Sequence, residues 1–167
     1  MKSILIFLIF IQGSSFSNDS RIEKNKFDQV ELGKTSFKEV KKLYPNSSIK
    51  KFKRRPLFRT ENGRICIPIT MEIVSVNKSG VDFYFDYYSA ESEDSVFVYE
   101  IEFNHPFKGK TEKGISIKSS KQKVLAAYGN DNDESSKGNK IDYDWIEFRF
   151  DKHDKVDKII LKYIEEE

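Results

Sequence analysis

The residues of this chain best suited to binding chemistry are carboxylates and tyrosines at alternate positions of two predicted strands, residues 81–88 and 96–103. Alternate residues of a β-strand point to the same face, so these side chains would form one patch. Tyrosine favours interfaces because it combines apolar area with a hydrogen-bonding tip. The competing interpretation is a solvated face on which tyrosines only stabilise strand pairing. The predicted binding residues are Asp82, Tyr84, Asp86, Tyr88, Glu100 and Glu102, with Arg149 on a later strand.

Charge is segregated along the chain, although the formal net charge is only +2. Residues 82–102 contain seven acids and no lysine or arginine. A basic block precedes them, and its members are Lys50, Lys51, Lys53, Arg54 and Arg55. This block suits an acidic partner or peripheral contact with anionic lipid headgroups, or it protects an edge strand from unwanted pairing. The small net charge argues against a nucleic-acid binder.

Motifs that support catalysis are not found in the sequence, which has no phosphate-binding loop, no GxSxG and no HExxH. His105 and His153 both fall in predicted loops. A calcium loop over residues 131–142 has suitable spacing, but Ser136 replaces the required glycine and Asp142 replaces the required glutamate. The sequence therefore predicts a protein that is not an enzyme and has no metal site and no cofactor. A hydrolase of unknown type stays an alternative that requires a concave pocket.

The first 17 residues are typical of a cleavable signal peptide. Lys2 is followed by an apolar run over residues 4–11 and by small residues before the predicted cleavage after Ser17. The run is shorter than the roughly 20 residues that span a bilayer. No cysteine lies near the cleavage point to accept a lipid, and the one cysteine, Cys66, is expected to be a small buried residue. We therefore expect a periplasmic or secreted protein with a flexible N-terminus at residues 18–29.

Two short helices and several strands are predicted in the rest of the chain. Ser36 and Glu39 form a capping-box pattern before the first helix, which would extend to Tyr44. Ser119 and Gln122 offer the same pattern before the second helix. The predicted strands are residues 65–76, 81–88, 96–103, 141–150 and 156–163. In the third of these, Phe97, Tyr99, Ile101 and Phe103 are predicted to point inward. In the last two, a change of face is expected near Trp145, and the outward positions are Glu147, Arg149, Lys158 and Lys162.

The order of these elements predicts an α+β fold. A single domain at residues 30–167 would consist of two tandem helix-plus-antiparallel-strand units, residues 30–106 and 113–164. Helices would pack on one face of a sheet, and the other face would stay available to water or to a partner.

A helix, an aromatic strand and a closing strand, used twice after a signal peptide, resemble the β-lactamase-inhibitor-protein-like fold. The same plan occurs once in the small outer-membrane assembly lipoproteins of the SmpA/OmlA type. The matching stretches are residues 33–45 with 81–103, and residues 115–163. The resemblance implies that the open sheet face binds a partner protein. Because the chain lacks a lipid-accepting cysteine and paired cysteines, it does not imply β-lactamase inhibition.

These patterns together favour a bacterial, non-enzymatic binding protein that presents a sheet face to an unidentified protein or envelope component. The alternative is a structural factor of the cell envelope that supports outer-membrane assembly or stability. In that case the basic block would matter more than the acidic sheet face.

Overall fold

The computed structural model describes residues 20–54, 57–60, 63–66, 69–76, 79–88, 92–129 and 139–164, with side chains described outside positions 52–72 and 86–88. The predicted signal peptide and most of the candidate calcium loop lie outside the described residues, as does the side chain of Cys66. Neither helix in the described part of the chain has the length and hydropathy needed to span a bilayer.

The described residues contain thirteen strands and two helices. In chain order they are β1 (Arg21–Glu23), β2 (Lys26–Phe27), β3 (Val30–Glu31), α1 (Phe37–Leu43), β4 (Ser48–Arg54), β5 (Leu57–Thr60), β6 (Gly63–Cys66), β7 (Ile69–Val76), β8 (Val81–Tyr88), β9 (Val98–Asn104), β10 (Lys110–Thr111), α2 (Lys121–Tyr128), β11 (Lys140–Tyr143), β12 (Ile146–Phe150) and β13 (Val156–Lys162).

The main sheet has seven antiparallel strands in the order β11-β12-β13-β9-β8-β7-β4. Strands from the first and second halves of the chain meet at the β9–β13 pair, where Phe103 lies opposite Ile159. A small second sheet has the order β10-β1-β2-β3, and β5 pairs with β6 alone. One continuous cluster of buried side chains connects the main sheet with the small second sheet.

One face of the main sheet carries the core. Its central residues are aromatic or branched and almost inaccessible to solvent. Along each strand they alternate with residues of the opposite face, which are mostly polar or charged but include Ile73 and Ile160. The fully buried residues of this face include Phe83, Phe85, Ile101, Phe103, Phe148 and Ile159.

Helix α1 begins as the sequence predicts. Ser36 is the N-cap and forms a capping box with Glu39: the Glu39 carboxylate accepts from the Ser36 backbone N–H at 2.8 Å. Phe37 packs edge-on against Phe85 at 5.0 Å between ring centroids, and Tyr44 stacks on Phe83 at 5.3 Å. The capping-box prediction for this helix is confirmed.

Helix α2 begins one residue later than predicted. The hydroxyl of Ser120 accepts from the backbone N–H of Lys123, so Ser120 rather than Ser119 is the N-cap. Ser119 instead accepts from the Ser116 backbone at 3.0 Å, in the turn before the helix. Val124 is the buried residue of α2.

The predicted α+β fold of two helix-plus-strand units is wrong. The described residues are mostly β-structure, with thirteen strands and only two helices, of seven and eight residues. Helices of about two turns contribute few residues to a core. The strands combine into antiparallel sheets rather than into two units with helices packed on one sheet face.

The N-terminal segment also differs from the prediction of a flexible tail at residues 18–29. It contributes β1 and β2 to the small sheet, where Ile22 and Phe27 are buried. Phe27 contacts Phe103 at 4.8 Å and Phe107 at 5.5 Å between ring centroids. Strands of two or three residues are too short to show a periodic pattern, which is why the sequence did not reveal them.

The predicted strand at residues 141–150 is a hairpin of β11 and β12. Tyr143 pairs with Ile146, so residues 144 and 145 form the connecting turn. The change of face expected near Trp145 is this turn.

Candidate functional site: the outer face of the main sheet

The side of the main sheet opposite the aromatic core is called the outer face here. Strand register arranges its residues in three rows that cross the sheet. The first row is Lys50, Ile73, Tyr84, Glu100 and Lys162. The second row is Ser48, Ser75, Asp82, Glu102, Ile160, Glu147 and Asp142. The third row is Asn104, Lys158, Arg149 and Lys140.

Acids of β9 meet bases of β13 at the centre of this face. The Lys158 ammonium donates to both carboxylate oxygens of Glu102 at 2.7 Å. The Glu102 side chain is 9% exposed and that of Lys158 is 27% exposed. A charge-assisted pair at this depth fixes both side chains, because the buried carboxylate would otherwise lack a partner.

A second set of ion pairs continues the network towards β11. Arg149 donates to Glu147 at 2.5 Å, and Lys140 lies 3.7 Å from Glu147 and 3.5 Å from Asp142. Lys162 of β13 also donates to Asp142. These contacts join β11, β12 and β13 through charged groups held in fixed positions.

Glu100 lies between these ion pairs and Tyr84. Burial, together with the charge of the neighbouring Glu102, raises the pKa of the Glu100 carboxyl to about 7. The cations Arg149 and Lys158 oppose this rise only in part. Burial, followed by the charge of Glu102, likewise raises the pKa of the Tyr84 hydroxyl above its usual range.

Five of the predicted binding residues are brought onto this face. Asp82, Tyr84, Glu100 and Glu102 occupy neighbouring positions of β8 and β9, and Arg149 lies two strands from β9. The Asp82 carboxylate accepts from the Asn104 side chain at 3.4 Å.

Asp86 and Tyr88 lie at the far end of β8. Their backbones pair with Met71 and Ile69 of β7. The described ladder between β8 and β9 ends at Phe85, so these two positions are not placed beside Glu100 and Glu102. Their side chains are outside the described part of the structure.

The predicted alternation of β9 fails at its start because of a bulge. Tyr84 pairs with Glu100 and Phe85 with Val98, which leaves Tyr99 as an extra residue. Val98 is therefore buried, whereas Phe97, predicted to point inward, is 43% exposed. Beyond the bulge, Ile101 and Phe103 point inward as predicted.

Two residues of the basic block, Lys50 and Lys51, lie on opposite faces of the sheet. Both belong to β4, the last strand of the main sheet, which pairs with β7. Lys50 and Lys51 are both exposed, but the register assigns Lys50 to the outer face and Lys51 to the opposite face. For Lys53 and Arg54 the structure describes only the backbone, and Arg55 lies outside the described residues.

Sequence reasoning missed the ion-pair partners. Glu147, Lys158 and Lys162 were expected to be outward-facing, but local alternation does not show which charges of distant strands become neighbours. Lys140 and Asp142 were assigned to a polar or calcium-binding loop. The sequence signal that could have revealed their strand is the alternation of Lys140 and Asp142 with the apolar Ile141 and Tyr143.

The charged groups of the outer face can take part in electrostatic recognition. Among the described residues, no group of three or more histidine, cysteine or acidic side chains is arranged to hold a metal ion. His105 and His153 are exposed in loops. Fixed ion pairs around a carboxylate suit the selection and orientation of a charged partner.

Comparison with protein-family models, with curated proteins and with solved structures finds no match for this chain. The resemblance to the β-lactamase-inhibitor-protein-like fold thus rests on the sequence pattern alone.

Proposed function

We propose that the protein is a non-enzymatic binding protein that holds a partner protein against the outer face of its seven-stranded sheet. The observation that carries the proposal is the fixed charged network around Tyr84 and Glu100. Tyr84 supplies an aromatic surface, and the surrounding ion pairs supply charges in a set geometry. Such an arrangement loses little side-chain entropy on binding, which favours recognition.

Solvent access to this face supports the proposal. The side chain of Arg149 is 48% exposed, and Lys162 is 30% exposed. A partner can therefore reach the charged groups, whereas Glu102 and Glu147 below them stay buried. Buried acids that hold exposed bases in place give a surface that is both accessible and rigid.

Export from the cytoplasm is part of this proposal and rests on the signal-peptide pattern at residues 1–17. The competing proposal is a structural factor of the cell envelope, and the exposed Lys50 and Lys51 on the terminal strand β4 favour it. Cell fractionation distinguishes the two. Release of soluble protein favours the binding protein, and firm retention in the envelope favours the structural factor.

Site-specific photocrosslinking in the native cell tests the binding face. A photoreactive phenylalanine analogue replaces Tyr84 in one variant and Phe97, which is exposed near the start of β9, in the matched control. We expect a discrete crosslinked species from position 84 and none from position 97. Crosslinks from position 97 alone, or from neither position, would reject the outer face as the binding surface.

A further inference from the structure

Every cation of the outer face between β9 and β11 has a carboxylate partner. Lys158 pairs with Glu102, Arg149 pairs with Glu147, and the remaining two lysines share Asp142. Glu100 is the carboxylate left over: within the described residues, no lysine or arginine nitrogen lies within ion-pair distance of it. The row of Glu100 contains two lysines. Lys162 lies opposite Glu100 on β13 but pairs with Asp142, and Lys50 is three strands away, or roughly 14 Å.

The groups around Glu100 intensify this imbalance. Its own strand and β8 place two further acids and a tyrosine close to it, while the nearby bases of β12 and β13 are paired with other acids. The charged and titratable groups facing it are Asp82 and Tyr84 on β8, Glu102 on β9, Lys158 and Lys162 on β13, Glu147 and Arg149 on β12, and Lys140 and Asp142 on β11.

We propose that the partner protein binds by placing an arginine side chain against Glu100 and the ring of Tyr84. This inference rests on the proposed function and names the chemistry of the partner. A guanidinium matches a carboxylate with two parallel hydrogen bonds and stacks on an aromatic face, which an ammonium does less well. The incoming cation pairs with the one carboxylate of β9, β11 and β12 on this face that has no ion-pair partner among the described residues.

Binding of this kind is coupled to the loss of a proton from Glu100. The guanidinium pairs with the ionised form of Glu100, whose pKa of about 7 leaves it largely protonated at pH 6 and largely ionised at pH 8. Binding therefore strengthens as the pH rises from 6 to 8, and at pH 7 it releases about half a proton from Glu100 on average. The change approaches about tenfold if only the ionised form binds.

A fluorescent peptide with two arginines between glycines is the probe, and the same peptide with neutral citrulline in place of arginine is its control. Affinity is measured by fluorescence anisotropy at pH 6 and pH 8. The full chain is tested with Glu100→Gln and, as the matched control, with Glu23→Gln, which removes an exposed acid of the small sheet. Urea unfolding at pH 8 verifies that both variants are folded.

We expect the arginine peptide to bind the unmodified protein and Glu23→Gln alike, more tightly at pH 8. Glu100→Gln should weaken binding at pH 8 by about tenfold and abolish the pH dependence. Equal losses in the two variants, equal binding of the citrulline peptide, or no binding at either pH would overturn the inference. If a partner still crosslinks at position 84 in that case, the proposed function stands without the arginine contact.

A second readout follows the titration of Glu100 itself. In protein labelled with ¹³C at glutamate side chains, addition of the arginine peptide should lower the apparent pKa of the Glu100 carboxyl. The citrulline peptide should leave it unchanged. An unchanged Glu100 titration at saturating arginine peptide would reject direct contact.

Discussion

At the scale of single residues, the surroundings of Glu100 disfavour its ionised form. Its carboxyl is half-buried beside Glu102, and its pKa of about 7 lies above the ordinary value of 4.5. Residues that cost stability are common at binding sites, because the partner rather than the fold supplies the missing interaction. The stability cost of Glu100 is therefore a measurable sign of its role.

We predict that Glu100→Gln stabilises the protein at pH 8. The folded pKa is raised, so the folded state binds more protons than the unfolded state between pH 4.5 and about 7. Stability due to Glu100 is thus fully present below pH 4.5 and is lost as the pH rises towards 7. The variant should be more stable than the unmodified protein by about 3 kcal/mol at pH 8 and equally stable at pH 4.

Urea unfolding at both pH values measures this difference, with Glu23→Gln as the control that should show no such change between them. A Glu100→Gln variant that is less stable at pH 8 would show that the carboxylate has a stabilising partner, which contradicts the charge imbalance described above.

The sequence predicts well which face of the sheet a side chain points to where alternation along one strand decides this. Asp82 and Tyr84 face outward and Phe83 faces the core, as the pattern of residues 81–88 indicates. The pairing of Lys158 with Glu102 joins residues that are far apart in the chain. It depends on the register between β9 and β13, which no local pattern contains.

At the scale of elements, the turn between β7 and β8 depends on Gly80. This residue has φ of +73°, and a Cβ at this position would lie 2.1 Å from the backbone oxygen of Asn104. Its carbonyl also accepts from the Asn104 N–H at 2.8 Å. The turn therefore packs directly on the end of β9, where only glycine fits.

We predict that Gly80→Ala destabilises the protein by about 3 kcal/mol, because both the left-handed backbone and the clash with a main-chain atom oppose the new side chain. Gly114→Ala is the matched control: its φ is +75°, but no atom lies within 4 Å of the new Cβ. That variant should lose only about 1 kcal/mol from backbone strain. Equal losses in urea unfolding would show that the close approach to Asn104 has no energetic effect.

Elements with a strong local signal were predictable, and elements defined by distant contacts were not. Helix α1 has a complete capping box at its start and is followed by Pro45. Strand β8 has eight residues whose side chains alternate between the two faces of the sheet in the sequence pattern. In contrast, β10 pairs with β1 in parallel over only two positions and owes its strand conformation to this distant contact. The bulge at Tyr99 belongs to the β8–β9 pairing and leaves no trace in the alternation of β9 itself.

At the scale of the whole molecule, the β9–β13 pair joins the two halves of the chain. The pattern that the sequence uses twice was interpreted as two helix-plus-strand units. The structure instead places strands of both halves in one seven-stranded sheet, over one cluster of buried residues. Because the halves share a sheet and a core, neither half has a hydrophobic core of its own that could unfold separately.

We therefore predict a single cooperative unfolding transition. Trp145, the only tryptophan, lies in the turn between β11 and β12, so its fluorescence reports on the second half of the chain. Far-ultraviolet circular dichroism reports on all strands. The two signals should change at the same urea concentration, as two-state unfolding requires.

Ile159→Ala extends this test to the β9–β13 pair. Ile159 is fully buried opposite Phe103, so its truncation should cost about 3 kcal/mol and shift both signals together. Ile49→Ala is the control, because Ile49 of the terminal strand β4 is 41% exposed and should cost less than about 1 kcal/mol. If fluorescence changes at lower urea than circular dichroism in Ile159→Ala, the two halves unfold separately, and the continuous sheet is not the cooperative unit.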